Sequence, residues 1–205
     1  KIKLFLAVFH LAFGVLLMFD VVSKIVSLII LVIGLFHIFK SENKNNEALF
    51  WAAYLVGAEV LFRMSGRMIF HELPKYSVLL FLVVGLIVEK KKHHISITYL
   101  IYILLLLLGI AFINIPFTES LRKAIAFNLS GPILLGISAI YFYQRKMNVN
   151  RIMDMLFYML LPIISMLVLL YLKTPSFQDI AFSSTSNFQT SGGFGPNQVA
   201  TILGV

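Results

Sequence analysis

The chain has 205 residues, of which 60% are hydrophobic and only 13% are charged, and its formal net charge is +8. A soluble domain carries about 25% charged residues and under 50% apolar ones, so this composition excludes an ordinary soluble domain. The absence of cysteine excludes disulfides, thiol nucleophiles and cysteine-based metal sites. No basic face with interleaved aromatics survives outside the loops, so no nucleic-acid partner is predicted.

Long apolar blocks predict an all-α fold, a polytopic bundle of transmembrane helices. A helix needs about 18 to 20 apolar residues to cross a ~30 Å hydrocarbon layer, and each block approaches or exceeds that length. We therefore expect a single transmembrane domain over residues 1–205, with seven complete spans and the start of an eighth near Asn197. The seven predicted spans are residues 4–19, 22–39, 48–62, 75–88, 95–113, 121–143 and 152–172.

Lys and Arg concentrate in alternate connections between these blocks. Segments 40–47, 89–94 and 144–151, together with Lys1 and Lys3, hold ten of the seventeen basic residues. The positive-inside rule places them in the cytoplasm, so we expect a cytoplasmic N-terminus. The other connections then face outward: residues 20–24, 63–74, 114–120 and 173–196. The last is an extracytoplasmic loop of unusual length, which is typical of a functional or disordered segment.

A glycine-rich turn follows within that loop. Gly192, Gly193 and Gly195 allow backbone conformations that other residues avoid, and Pro196 suits the first position of a helix. Successive N–H groups before a helix N-terminus form an anion nest, and at the outer membrane surface the expected anion is a lipid-linked phosphate. The alternative interpretation is a glycine turn that only leads into a helix.

Two arginines end the third apolar block. Glu59 and Arg63 have the spacing of a favourable helical pair, and Arg67 follows one turn later. The forked donors of Arg63 and Arg67 suit phosphate oxygens. The alternative is that both are interfacial anchors. The sequence shows no nucleotide-binding loop, metal-ligand spacing or Ser-His-Asp pattern, so no metal or cofactor is predicted.

The stretch "TSGGFGPNQVATILG" resembles the membrane-embedded motif of the O-antigen ligase and polymerase family, and "GAEVLFRMSG…LPKYSVLLFLVVGL" resembles an earlier extracytoplasmic segment of its Bacteroidetes-type members. The resemblance implies a polyprenyl-diphosphate-linked glycan as substrate, bound from the outer face without metal or nucleotide. Family arginines engage the diphosphate, and a large later periplasmic loop supplies a catalytic histidine. The implied substrate-binding residues here are Arg63, Arg67, Gly192, Gly193, Gly195, Asn197 and Gln198.

The sequence departs from the family pattern in two places. Many members have an arginine close before the Gly-Pro-Asn motif, where Thr190 and Ser191 stand here, and the later loop is missing. The chain starts with Lys1, and the eighth block stops at Val205. We therefore expect this to be the N-terminal part of a longer protein whose catalytic residues lie beyond Val205.

The resemblance implies a glycosyltransferase of the bacterial inner membrane. It would transfer the lipid-linked glycan on the periplasmic face to lipid A core or another glycan acceptor, with membrane lipid and other envelope-complex proteins as partners. The alternative is a non-catalytic membrane transporter or an accessory subunit of an envelope complex. Inverted repeats and charges at midplane depth would favour a transporter, but no clear repeat is found.

Overall fold

The computed structural model describes residues 1–65, 72–90, 94–112, 121–175 and 187–204, with backbone only at residues 20, 121–124 and 127. Within these ranges the fold is all-α, as predicted. Short 3-10 turns, Ile110–Phe112 and Gln189–Ser191, accompany eight α-helices. The helices are α1 (Ile2–Leu16), α2 (Asp20–Ser41), α3 (Glu47–Met64), α4 (Leu73–Val88), α5 (Ile97–Gly109), α6 (Leu121–Phe142), α7 (Val149–Lys173) and α8 (Pro196–Leu203).

The prediction of seven complete membrane spans is wrong. In the described part of the chain, two helical stretches are long and apolar enough to cross a membrane: Val21–Ser41 and Val149–Lys173, with mean hydropathies of 2.5 and 2.4. Helices α1, α4 and α5 have 15, 16 and 13 residues. At 1.5 Å per residue the longest of these three extends about 24 Å, short of the ~30 Å hydrocarbon core. Helix α3 has 18 residues but carries Glu47, Glu59 and Arg63.

The two long helices support a membrane location because most of their side chains are not buried. Only 22% of the apolar window in α2 and 33% of that in α7 is buried, whereas the core helix of a soluble protein is hydrophobic all round because it is enclosed. Large apolar side chains such as Val32 and Phe36 of α2 are exposed. Contiguous exposed apolar surface marks a membrane or protein contact.

Helix α3 lies at the centre of the bundle. It packs against α7 and α4, while α1 lies on α7, and α4 also contacts α2 and α6. Small residues allow these helices to approach closely. A side chain added at Gly57 of α3 would collide with the Met159 carbonyl of α7, and a Cβ at Gly14 of α1 would lie 2.6 Å from the Ser165 carbonyl oxygen. The core is therefore built on backbone contacts between α1, α3 and α7.

Polar segments gather at the two ends of α3. We call the first the basic end; it comprises residues 40–47, 89–90 and 143–151, with Lys3 and Asp154 beside them. Glu42 Oε1 pairs there with Lys90 Nζ at 2.6 Å, and Lys3 Nζ with Asp154 Oδ1 at 2.7 Å. We call the second the glycine end; it comprises residues 59–65, 173 and 188–198. The fold thus brings the segments that the sequence predicts to be cytoplasmic to one end of the bundle.

Candidate functional site

The structure brings together two of the predicted substrate-binding segments. Arg63 lies in the last turn of α3, and Gln198 lies in the first turn of α8, 135 residues later in the chain. The Arg63 Nη1 donates to Gln198 Oε1 at 3.2 Å. The predicted partner Arg67 lies outside the described residues, as do residues 176–186 of the predicted loop 173–196.

Arg63 is held in place but keeps a donor to spare. Its Nη2 pairs with Glu59 Oε1 at 2.6 Å, and the Arg63 side chain is only 7% exposed. Its Nε is buried and has no hydrogen-bond partner among the residues that the structure describes. Leaving a buried donor unsatisfied costs about 1–3 kcal/mol. An anionic acceptor that reached this nitrogen would remove that penalty.

The glycine turn uses left-handed backbone at two of its three glycines. Gly192 has φ 65° and Gly193 has φ 79°, a region that other L-residues enter at a cost of about 1–2 kcal/mol. Gly195 has φ −54°, which any residue adopts. Backbone freedom was predicted to matter at all three glycines, and the structure separates Gly195 from the other two.

Several amides of this turn are used within the turn itself. Gly193 N–H donates to the Phe188 carbonyl at 2.9 Å, and Phe194 N–H donates to the Ser191 carbonyl at 3.3 Å. Ser191 is buried, and its hydroxyl hydrogen-bonds the Phe194 carbonyl. Hydrogen bonds within the turn therefore fix its shape. The anion nest stays a prediction, and Gly193 and Phe194 would have to break these bonds to serve it.

The turn is anchored on the ends of α3 and α7. A Cβ at Gly192 would lie 2.8 Å from Met64 Cε, with Leu170 and Lys173 close by. Lys173 Nζ donates to the Met64 carbonyl at 2.5 Å, which joins the last turns of α3 and α7. No role was predicted for Lys173. It lies at the C-terminal end of a helix, where a cation complements the helix dipole, and this position indicates a structural role.

Helix α8 begins at this turn. Pro196 is its first residue, as predicted, and the N–H groups of Gln198 and Val199 donate to the Gly195 carbonyl at 3.0 and 3.2 Å. Val199 and Ile202 are buried, whereas Asn197 and Gln198 are exposed. The apolar side of α8 thus docks on the bundle. Its polar first turn stays accessible beside Arg63.

A second polar cluster, which the sequence analysis missed, lies at the basic end. Asn43 is fully buried with φ 50°. Its Nδ2 donates to Gly85 O at 3.2 Å, Glu89 Oε2 at 3.1 Å and Tyr141 Oη at 3.1 Å, and its Oδ1 accepts from Ala48 N–H at 3.0 Å. One side chain therefore ties together α3, α4 and α6.

An ion pair completes this cluster. Arg145 Nη2 lies 2.8 Å from Glu89 Oε2, and both side chains are 5% exposed. The guanidinium also lies 4.0 Å from the Tyr141 ring centroid and hydrogen-bonds Asn46 Oδ1. Nothing in the pattern of charged loops indicates this burial, since Arg145 and Glu89 sit in segments that read as solvated.

Two carboxylates at the basic end are held in their charged form. Hydrogen bonds from Lys90 and then Lys44 lower the pKa of Glu42 below its usual value. Burial acts to raise the pKa of Glu47, but hydrogen bonds from the backbone and the Asn45 side chain outweigh it and lower that pKa. Both groups stay ionised at neutral pH.

Within the described ranges, no three His, Asp or Glu side chains come together as ligands for a metal ion. At the glycine end, the described group with an unused buried donor is the Arg63 guanidinium. No protein-family model, no curated protein and no solved structure matches this chain.

Proposed function

We propose that the chain forms the donor-binding region of a membrane glycosyltransferase of the O-antigen ligase type. The donor is a polyprenyl-diphosphate-linked glycan, transferred on the periplasmic face to lipid A core or another glycan. The observation that supports this proposal is the contact between Arg63 and Gln198. It joins the two stretches that carry the family resemblance and leaves a buried Arg63 nitrogen without a partner among the described residues.

In this proposal Arg63 binds the leaving group. An acceptor hydroxyl attacks the anomeric carbon, the bond from that carbon to the diphosphate oxygen breaks, and the diphosphate takes the electron pair. The hydroxyl proton passes to a general base that this proposal leaves unassigned. Glu59 and Gln198 keep the guanidinium in position, so that a charge-assisted bond meets the developing negative charge without reorganisation. The lipid-linked bond itself supplies the driving force, so no nucleotide is needed.

The proposed location is the bacterial inner membrane, with the chain crossing more than once and the N-terminus in the cytoplasm. The support is the lysine and arginine content of the basic end. Because the chain has no cysteine, single cysteines report orientation cleanly. Lys146→Cys should resist an impermeant thiol reagent in cells with a permeable outer envelope, and Phe188→Cys should react. Labelling of Lys146→Cys without labelling of Phe188→Cys would contradict the proposed orientation and with it a periplasmic location for the site.

The binding test uses purified protein and polyprenyl diphosphate. Arg63→Gln should raise the Kd roughly tenfold, because a lost charge-assisted hydrogen bond is worth about 1.5–3 kcal/mol. Arg63→Lys should bind with intermediate affinity, since lysine lacks the guanidinium fork. The matched control is Lys75→Gln, which removes a positive charge at the start of α4.

A further variant separates binding from folding. Arg63→Gln alone leaves Glu59 without its partner, so Glu59→Gln combined with Arg63→Gln removes both charges together. This double variant should keep the parental Tm and still bind weakly. If it binds as tightly as Lys75→Gln, Arg63 is an interfacial anchor. Donor binding without glycan transfer in any longer form of the protein would favour the transporter or accessory-subunit alternative.

A further inference from the structure

A cavity of about 540 Å³ opens between α1, α2, α3 and α7. Sites for small molecules and cofactors have volumes of about 300–1,000 Å³, are lined mainly by apolar and aromatic groups, and carry a few placed polar atoms. This cavity has that character. The apolar part of its lining comprises Leu6, Ile30, Phe50, Trp51 and Leu161. It lies toward the basic end, away from the Arg63–Gln198 contact.

Two hydrogen-bonded pairs, His37 with Trp51 and His10 with Tyr54, set which polar atoms of the cavity wall donate and which accept. The Trp51 indole is only a donor, so His37 Nδ1 must accept from it at 3.1 Å and His37 carries its proton on Nε2. The Leu6 carbonyl is only an acceptor, so His10 Nδ1 must donate to it at 2.8 Å. His10 Nε2 then accepts from the Tyr54 hydroxyl at 3.0 Å. These two pairs thus leave one N–H donor, at His37, and one hydroxyl acceptor, at Tyr54.

The charged rim of the cavity includes Asp154, Glu47 and Arg151, which differ in how many of their hydrogen bonds are made to described residues. Asp154 is paired with Lys3 at 2.7 Å. Glu47 accepts from Asn45 N–H at 3.0 Å and Asn45 Nδ2 at 3.1 Å. Arg151 makes one 3.4 Å hydrogen bond to Asn45 Oδ1, and its guanidinium lies 6.0 Å from the Phe50 ring centroid. Most of its five N–H donors therefore remain for a ligand.

We propose that this cavity binds a membrane lipid with a phosphate head group. One aliphatic chain lies among Leu6, Ile30 and Trp51, and the phosphate accepts hydrogen bonds from Arg151. The rim combines a forked cation with an apolar interior, which is the chemistry of such a lipid. The wall is formed in part by α2, a candidate membrane-spanning helix with exposed apolar side chains, so the ligand comes from the bilayer. The proposal does not depend on the glycosyltransferase proposal.

The chain's single tryptophan reports on occupancy. Trp51 lines the cavity, and no other tryptophan contributes fluorescence. Bromine atoms on a lipid chain quench tryptophan only at short range. Titration of the detergent-solubilised protein with dibrominated phosphatidic acid should give saturable quenching, whereas dibrominated diacylglycerol, which lacks the phosphate, should bind at least tenfold more weakly. Quenching that is linear in lipid, or equal for the two lipids, would overturn the proposal.

Variants test the head-group and chain contacts separately. Arg151→Gln should raise the Kd for phosphatidic acid roughly tenfold, while the matched control Lys146→Gln, an exposed charge at the same end, should leave it unchanged. Leu6→Phe should fill part of the cavity and lower the affinity for both lipids without lowering the Tm. Equal affinities of the Arg151→Gln and Lys146→Gln proteins, or parental binding by Leu6→Phe, would contradict a lipid in this cavity.

Discussion

The two ends of α3 use buried charge in opposite ways. At the basic end, Arg145 and Glu89 are each 5% exposed and are bonded to each other and to their neighbours. At the glycine end, Arg63 is buried to a similar degree, yet its Nε lacks a partner among the described residues. A buried charge whose bonds are made within the protein holds helices together. One with a donor left over still has a hydrogen bond to give to a ligand.

The physical reason for the difference is the cost of taking charge out of water. A buried ion pair is stable only when its remaining donors and acceptors are satisfied. At the basic end, the Arg145 guanidinium has a carboxylate, the Asn46 amide oxygen, the Tyr141 carbonyl and an aromatic face. Among the described residues, Arg63 at the glycine end has one carboxylate and one side-chain amide as partners, so part of the cost of its burial is unmet by them. The predictions below test that contrast.

The largest effect is expected from breaking the saturated pair. Arg145→Ala should lower the free energy of unfolding by about 3–5 kcal/mol, because it leaves Glu89 buried without its partner charge. Unfolding of purified protein in mixed micelles, followed by circular dichroism, measures this. The control is Lys146→Ala, the neighbouring exposed residue, which should change stability by less than about 0.5 kcal/mol. Equal effects would show that the basic end is not held by this pair.

Asn43 should be nearly as sensitive, and two variants divide its contribution. Asn43→Gly removes the side-chain hydrogen bonds but tolerates φ 50°, and it should cost about 2 kcal/mol. Asn43→Ala adds backbone strain of about 1–2 kcal/mol. The alanine protein should therefore unfold more readily than the glycine protein in the same assay. The opposite order would mean that the backbone at Asn43 relaxes freely.

Sequence patterns predicted the local features of this fold well. The apolar runs of α2 and α7 indicated helices long enough for a membrane, and both are found. Pro196 indicated the start of a helix, and α8 begins there. These features depend on local chemistry, the spacing of apolar residues and the fixed φ of proline. Local chemistry is readable from one sequence.

The prediction of seven spans was wrong because the length of each apolar block was taken as the length of a helix, and its apolar character was taken as contact with lipid. The block 4–19 is apolar except for His10 and Gly14, but α1 ends at Leu16 and residues 17–19 turn toward α2. In α3, residues such as Leu55, Leu61 and Phe62 are buried among other helices. Hydropathy responds equally to a residue that faces lipid and to one that faces protein. Only tertiary structure separates them.

The candidate site was predictable only in its local part. Arg63 and its pairing with Glu59 follow from helical spacing, and the salt bridge is found. The contact between Arg63 and Gln198 joins residues 135 positions apart and needs the packing of α8 on α3. Asn43 carried no signal, since asparagine in a polar loop usually faces water. Long-range pairings of this kind do not appear in residue spacing.

At the glycine end, a smaller effect should follow from backbone strain alone. Gly193→Ala should cost about 1–2 kcal/mol, because φ is 79° there and none of the described residues places an atom within 4 Å of an added Cβ. Gly195→Ala, at φ −54°, is the matched control and should be nearly neutral. The Tm and the affinity for polyprenyl diphosphate should both be lower for Gly193→Ala than for Gly195→Ala. Identical behaviour would show that the turn does not require its left-handed backbone.

The smallest expected effect concerns pH at the basic end. The pKa of Glu42 in the folded protein lies below its usual value of 4.5, so its contribution to stability is complete above pH 4.5 and is lost as the pH falls through the lowered value. Glu42→Gln should therefore flatten the decline of Tm between about pH 5 and 3. Because Lys90 and Lys44 are exposed, high salt should reduce the difference between the two proteins. If Glu42→Gln keeps the parental slope, the lysines do not stabilise the charged carboxylate, and the bonds that matter at this end are the buried ones of Asn43 and Arg145.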